Sequence, residues 1–156
     1  MGHFGFSYIG LIFMLMIELP NILWAKNKPA GYDPSDENKV LLVFERIGQV
    51  LCTASILLFS DTNPSKWEPW LIWFFLAVAL MLMYEAYWLR YFRGDKTLSD
   101  FYRPFFKVPA PGATLPVAAF FVLGIYGRLI WLILSSIILG IGHIGIQFHH
   151  IKKADL

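Results

Sequence analysis

The sequence predicts an all-α fold: a polytopic membrane protein, built as a bundle of five transmembrane helices. Composition is the first reason, because 57% of the 156 residues are hydrophobic and only 15% are charged, against about 25% charged in soluble proteins. Apolar runs separated by polar loops are the second, since about 20 apolar residues span a bilayer. The chain should therefore form a single transmembrane domain, residues 1–156, without a soluble domain.

Five apolar segments are long enough to reach most of the way across a bilayer. They cover residues 4–25, 40–60, 69–92, 110–126 and 128–149. The fourth is short, follows "VPAPG" and contains Pro116, so a re-entrant half-helix is the alternative there. In the first segment, Pro20 should kink the helix and free a backbone carbonyl.

The loop at residues 93–109 is predicted to lie at the membrane interface. Thr97 and Asp100 have capping-box spacing, and apolar residues follow at i, i+3, i+4 and i+7, which indicates a short amphipathic helix. Pro104 should end that helix early. The loop either anchors itself among lipid headgroups or gates a substrate.

Lysine and arginine lie almost entirely on one face of a five-span arrangement. That face carries Lys26, Lys28, Lys39, Arg90, Arg93, Lys96, Arg103, Lys107, Lys152 and Lys153, and the other carries Lys66 and Arg128. The positive-inside rule then predicts an outside N-terminus and a cytoplasmic C-terminus. A re-entrant fourth segment would weaken this asymmetry, which favours five spans.

Ionisable side chains recur at one depth of the spans. Counting about 1.5 Å per residue puts them roughly 8–12 Å from the cytoplasmic ends of their helices; they are Glu18, Glu45, Arg46, Glu85 and His143. Each costs on the order of 2.5–3.5 kcal/mol at the bilayer centre. They are therefore expected to converge, with Gln49 and Gln147, on a polar recess that faces the cytoplasm.

Helical spacing supports this convergence. Glu45, Gln49 and Cys52 share one face of the second segment, and a small, polar stripe on the fifth should face it: Ser136, Gly140, His143 and Gln147. Arg46 is expected to pair with Glu18 or Glu85. Buried like charges cannot all stay ionised, so one glutamate, Glu45 first, should be protonated or the recess should hold a cation. The alternative is that these groups only hold helices together.

Several other kinds of site are not indicated. No spacing requires a metal, no nucleotide or hydrolase motif occurs, and the histidines do not match in depth for a haem, so no cofactor is predicted. Cys52 is the single cysteine and cannot form an intramolecular disulfide. His149 and His150 are interpreted as solvated at the tail. Nucleic acid is not an expected partner.

Three runs, "VFERIGQVL", "YEAYWLRYF" and "GATLPVAAFFVLGIYG", resemble those of small, uncharacterised bacterial integral membrane proteins over essentially the whole chain. This resemblance implies a multi-pass protein of the bacterial cytoplasmic (inner) membrane. That group has no assigned activity, so no site residue carries over. In size the chain is similar to the small membrane glutathione transferases and methyltransferases, but their characteristic residues cannot be matched here.

The predicted function is binding or translocation of a small cationic or protonatable solute. Glu45 and Glu85 would contact the charge, Arg46 would be an electrostatic counterweight and His143 a proton partner. The alternatives are an inner-leaflet enzyme acting on a lipid or prenyl group, and a non-catalytic assembly or sensor subunit. Expected partners are membrane lipids, the solute or a lipid, and a second copy of the chain or a partner subunit.

Overall fold

The structure, a computed structural model, describes residues 2–65 and 67–154. It contains six α-helices: α1 (Tyr8–Ala25), α2 (Lys39–Leu58), α3 (Leu71–Arg93), α4 (Leu98–Tyr102), α5 (Pro111–Tyr126) and α6 (Ile130–Lys153). Within the described ranges the only β structure is two isolated bridges. The all-α class is thus confirmed. Lys66, one of the two basic residues predicted for the outer face, lies outside the described residues.

Four helices, α1, α2, α3 and α6, are long and apolar enough to cross a membrane. Helix α5, the predicted fourth span, has 16 residues and is shorter than these. Its start lies against α3, where Gly112 is close to the Tyr87 ring. At its other end the Trp70 indole donates a 2.8 Å hydrogen bond to the Tyr126 carbonyl. The composition supports a membrane protein, and a fifth crossing by α5 stays a prediction.

Five helices enclose the interior of the bundle. Helix α2 packs on α6, α6 on α5 and α5 on α3, and α1 closes the ring through smaller contacts with α2 and α3. We call one end the basic end: it carries the loop at residues 26–38, the connection at residues 94–110 and the C-terminal turn of α6. The other is the opposite end.

Glycine lets α2 and α6 approach closely. A Cβ on Gly142 would collide with the backbone of α2 at Glu45 and Leu41. A Cβ on Gly48 would likewise collide with the backbone of α6 at Leu139. Small residues at such contacts allow helix backbones to approach, as is common between membrane helices. Side chains that flank the seam can therefore bond directly across it.

Helix α1 is fixed to α2 at the opposite end. The Ser7 and Thr62 hydroxyls are 2.6 Å apart, and His3 Nδ1 lies 2.7 Å from Asp61 Oδ1. Burial alone would raise the pKa of the Asp61 carboxyl, but hydrogen bonds from His3 bring it below its usual value. A Cβ on Gly10 would collide with the Ile56 carbonyl, so the two helices also touch closely there. These contacts hold α1 only near the opposite end, so other elements position its basic-end half.

The connection between α3 and α5 is packed onto the bundle. The predicted capping box of Thr97 and Asp100 is present, and α4 ends at Tyr102, before Pro104. The Arg90 guanidinium donates hydrogen bonds to the carbonyls of Asp100, Arg103 and Pro104. Arg90 therefore holds this segment in place.

Gly142→Ala should destabilise the protein, because the new methyl group meets α2 backbone that can move only with the whole helix. Overpacking of this kind costs about 1–3 kcal/mol. Gly145→Ala is the matched control: its Cβ would meet only the flexible Leu41 side chain, at 3.1 Å. Thermal unfolding in lipid nanodiscs should show a lower midpoint for Gly142→Ala only. Equal midpoints for the two variants would contradict the close α2–α6 seam.

Candidate functional site

The α2–α6 seam brings an acid and a histidine together. Glu45 Oε1 of α2 lies 2.5 Å from His143 Nδ1 of α6. The two side chains are only 13% and 29% exposed, respectively. Close packing beside Gly142 sets this distance, because the backbones on either side of the pair are nearly in contact. The histidine can donate this hydrogen bond from Nδ1–H to the Glu45 carboxylate, and which ring nitrogen carries the proton depends on the tautomer.

This pair borders a cavity of about 310 Å³ at the basic end, which we call the basic-end cavity. All five helices of the ring contribute to its wall, together with α4 and the loop at residues 26–38. Polar and charged side chains of the lining include Asn21, Lys28, Glu37, Glu45, Arg46, His143 and Gln147. The aromatic ones are Trp24, Tyr32, Trp88 and Phe101. The cavity thus combines carboxylates with aromatic surface.

The aromatic wall already holds a cation from the protein itself. Lys28 Nζ lies 5.4 Å from the centre of the Trp24 ring and 6.0 Å from that of Tyr32. Burial, followed by the nearby charges of Glu37 and Glu45, raises the pKa of Tyr32 to about 12. Tyr32 therefore stays a neutral phenol at physiological pH. The electron-rich ring faces are a surface that attracts positive charge.

A second, smaller cavity adjoins the first. This deep cavity has a volume of about 140 Å³ and lies between α1, α2, α5 and α6. Asn21 and His143 line both cavities, so His143 stands at their junction. The fully buried part of the deep cavity wall is formed by Cys52, Pro116, Val117 and Phe120.

The seven residues predicted for one recess are distributed over the two cavities and α3. Glu45, Arg46, His143 and Gln147 line the basic-end cavity. Glu18 and Gln49 line the deep cavity, together with His143.

Glu85 lines neither cavity; it is half-buried, and its Oε1 has no hydrogen-bond partner within the described ranges. Trp88, one turn further along α3, is the residue of that helix that reaches the basic-end cavity. The expected meeting of three glutamates in one pocket is therefore not what the structure shows.

Arg46 does not make the expected ion pair. Within the described part of the chain it is bonded neither to Glu18 nor to Glu85, and its side chain is exposed. Glu45, its neighbour along the chain, is paired with His143 instead. The α2–α6 stripes do face each other as expected, since Cys52 Sγ also lies 4.0 Å from Ser136 Oγ.

Sequence reasoning missed a second acid–histidine pair. His150 Nε2 lies 2.9 Å from Glu37 Oε1, and the two side chains are 7% and 13% exposed, respectively. The imidazole stacks between the rings of Tyr32 and Tyr102, at centroid distances of 5.4 and 6.2 Å. The interpretation of His150 as solvated was therefore wrong.

A signal for this pair was present in the sequence. His150 lies about two helical turns beyond His143, which places both on one face of α6. Glu37 precedes α2 and Glu45 lies in its first half, so antiparallel helices bring the acids opposite the histidines in order. The second pair fastens the loop at residues 26–38 to α6, and Lys153 adds a 2.7 Å ion pair with Asp36.

His150→Phe should release this loop while keeping the aromatic stack. Glu37 then loses its partner, and a hydrogen bond to a charged group contributes about 1.5–3 kcal/mol. Tryptic cleavage after Lys26 should become about tenfold faster, since cleavage follows the population of the open loop. His149→Phe, at an exposed neighbouring position, should cleave like the unaltered protein. Identical cleavage of both variants would show that the pair does not hold the loop.

The chemistry available at the site is acid–base exchange and cation recognition. Within the described ranges, no group of three His, Cys, Asp or Glu side chains is arranged to hold a metal ion. Comparisons with protein-family models, curated proteins and solved structures found no match to this chain.

Proposed function

We propose that the basic-end cavity binds a small organic cation, such as a protonated or quaternary amine, and that the Glu45–His143 pair gives up a proton when it does. The observation that carries the proposal is the lining itself: the carboxylate of Glu45 shares one cavity with the aromatic faces on which the Lys28 ammonium rests.

The aromatic wall favours a cation over an anion. The fixed charges nearly balance, because Lys28 and Arg46 offset Glu37 and Glu45. Ring faces carry a negative quadrupole, and a cation over them gains about 0.5–2 kcal/mol, more as water is excluded. An anion would be repelled by the same faces. Lys28, on its flexible stem, can give way to a ligand that fills the cavity better.

The acid–histidine pair couples this binding to a proton. Without a ligand, a protonated His143 can place positive charge beside the Glu45 carboxylate. A cation close to Glu45 supplies that positive charge and disfavours the protonated form of His143 by like-charge repulsion. Cation and proton therefore compete for one carboxylate, which is the elementary step of proton-linked binding or exchange.

The membrane setting belongs to the same proposal. The basic end would face the cytoplasm of a bacterial cytoplasmic membrane under the positive-inside rule, with α5 as a fifth crossing and lipids around the ring. The chain shows no internal repeat, and alternating-access transporters commonly use repeats that rock about a central site. Translocation would therefore need a second copy of the chain or a partner subunit.

Glu45→Gln should weaken binding of tetramethylammonium about tenfold or more, because the amide keeps the shape of the carboxylate but removes the charge. The measurement is titration calorimetry in lipid nanodiscs, with empty nanodiscs as the blank. Glu68→Gln is the matched control, since Glu68 is an exposed carboxylate away from both cavities. Binding that is undetectable in the unaltered protein, or equal in both variants, would overturn the proposal.

Acidification from about pH 8 to about pH 5, the range in which histidine usually changes charge, should weaken tetramethylammonium binding. Protonation of His143 adds a positive charge beside the site, while the ligand's own charge is fixed. The other ionisable groups near this site are Lys28, Arg46, Tyr32 and the Glu37–His150 pair. His143→Gln should flatten the dependence, whereas His150→Gln should largely keep it. A profile that His143→Gln leaves unchanged would rule out proton competition at this pair.

A further inference from the structure

We infer that the ligand carries an apolar arm about the size of a benzene ring, and that this arm occupies the deep cavity while the cationic group sits in the basic-end cavity. The inference rests on the proposed function and narrows it to one class of ligand, the small ammonium ions that carry a single ring or a similarly compact apolar group.

Adjacency of the two cavities is the first step. Asn21 of α1 and His143 of α6 belong to the walls of both. His143 is bonded to Glu45, which lines the basic-end cavity. A molecule whose charged group lies beside Glu45 is therefore separated from the deep cavity only by the side chains of Asn21 and His143.

Polarity is the second step. The buried wall of the deep cavity consists of Cys52, Pro116, Val117 and Phe120, and the half-buried Met14, Ile17 and Leu139 complete the apolar lining. Among its polar residues, Glu18, Asn21 and Gln49 are exposed, and Thr53 and His143 are half-buried. An apolar group inside this cavity gains dispersion contacts. A second charged group would find no buried partner there.

Size is the third step. The deep cavity measures about 140 Å³. An apolar protein cavity of about 150 Å³, measured in another protein, takes up benzene. A single ring or a short branched alkyl group therefore fits, and a long lipid chain does not. A ligand of this shape bridges the two cavities past His143, with its charge against the aromatic wall and its ring among the aliphatic side chains.

Two permanently charged probes separate the contributions of the head and the arm. Tetramethylammonium presents the cation alone, and benzyltrimethylammonium adds one ring to the same head. Since apolar burial is favourable at about 25 cal/mol per Å², the benzyl compound should bind about tenfold more tightly or better. Titration in lipid nanodiscs is again the measurement, with empty nanodiscs correcting for partition into lipid.

Filling the deep cavity should remove the tighter binding of benzyltrimethylammonium and leave the binding of tetramethylammonium unchanged. Ile17→Trp adds an indole to the cavity wall from α1, the helix with the smaller contacts in the ring. Retained tetramethylammonium binding shows that the variant is folded and its basic-end cavity intact. If Ile17→Trp loses tetramethylammonium binding, Met14→Phe on the same wall repeats the test. Ile12→Trp, at an exposed position of α1, is the matched control and should keep the benzyl advantage.

The outcomes distinguish this inference from the function on which it rests. The inference is supported if benzyltrimethylammonium binds more tightly than tetramethylammonium, if a filling variant abolishes this difference, and if Ile12→Trp preserves it. Equal affinities for the two probes, or an advantage that survives filling, overturns it and leaves cation binding in place. Absence of binding by both probes overturns the proposed function and the inference together.

Discussion

The close contact between α2 and α6 is the constraint on which the rest of the bundle depends. Gly142 brings the two backbones together at the level of Glu45. Once they are this close, the side chain of Glu45 meets that of the next residue of α6, His143. The same antiparallel register then presents His150 to Glu37 and fastens the loop at residues 26–38 over the basic-end cavity. The backbone contact at Gly142 thus positions the Glu45–His143 pair and the loop at residues 26–38.

Much of the fold was accessible from the sequence because hydrophobic length determines where membrane helices can form. The predicted segments 40–60 and 69–92 correspond to α2 (Lys39–Leu58) and α3 (Leu71–Arg93) within a few residues. The capping box of Thr97 was also readable, since its chemistry is local. Span 110–126 was harder: α5 begins after a proline-rich turn and is too short for length alone to establish a crossing.

The site could be predicted only in part from the sequence, because the direction in which a side chain points around its helix is not fixed by the sequence. Depth along a helix can be counted from the sequence, but the direction of a side chain around the helix depends on which neighbours pack against it. Glu45 and His143 were placed on facing stripes because polar side chains recur at helical spacing on both segments. For Glu85 and Arg46 nothing in the sequence fixes the facing direction, and the structure leaves both outside the acid–histidine pair. His150 and Glu37 were missed because both lie just outside the predicted spans 128–149 and 40–60, so neither was counted among the ionisable groups of the spans.

Polar contacts fasten both ends of the bundle. At the opposite end, hydrogen bonds among His3, Ser7, Asp61 and Thr62 fasten the first helix to the turn after the second. At the basic end, the ion pair of Lys153 with Asp36 is accompanied by aromatic stacking, and Trp24 lies against Phe101 at a centroid distance of 5.4 Å. The loop at residues 26–38 is therefore held by both kinds of contact.

The solitary thiol of Cys52 gives this architecture an unusual experimental advantage. It is the one sulfhydryl in the sequence and forms part of the buried wall of the deep cavity. Its side chain is only 1% exposed, so a thiol reagent can reach it only when the helices around it separate. The rate at which such a reagent couples would therefore measure how often the bundle opens at this level, with no background from another sulfhydryl.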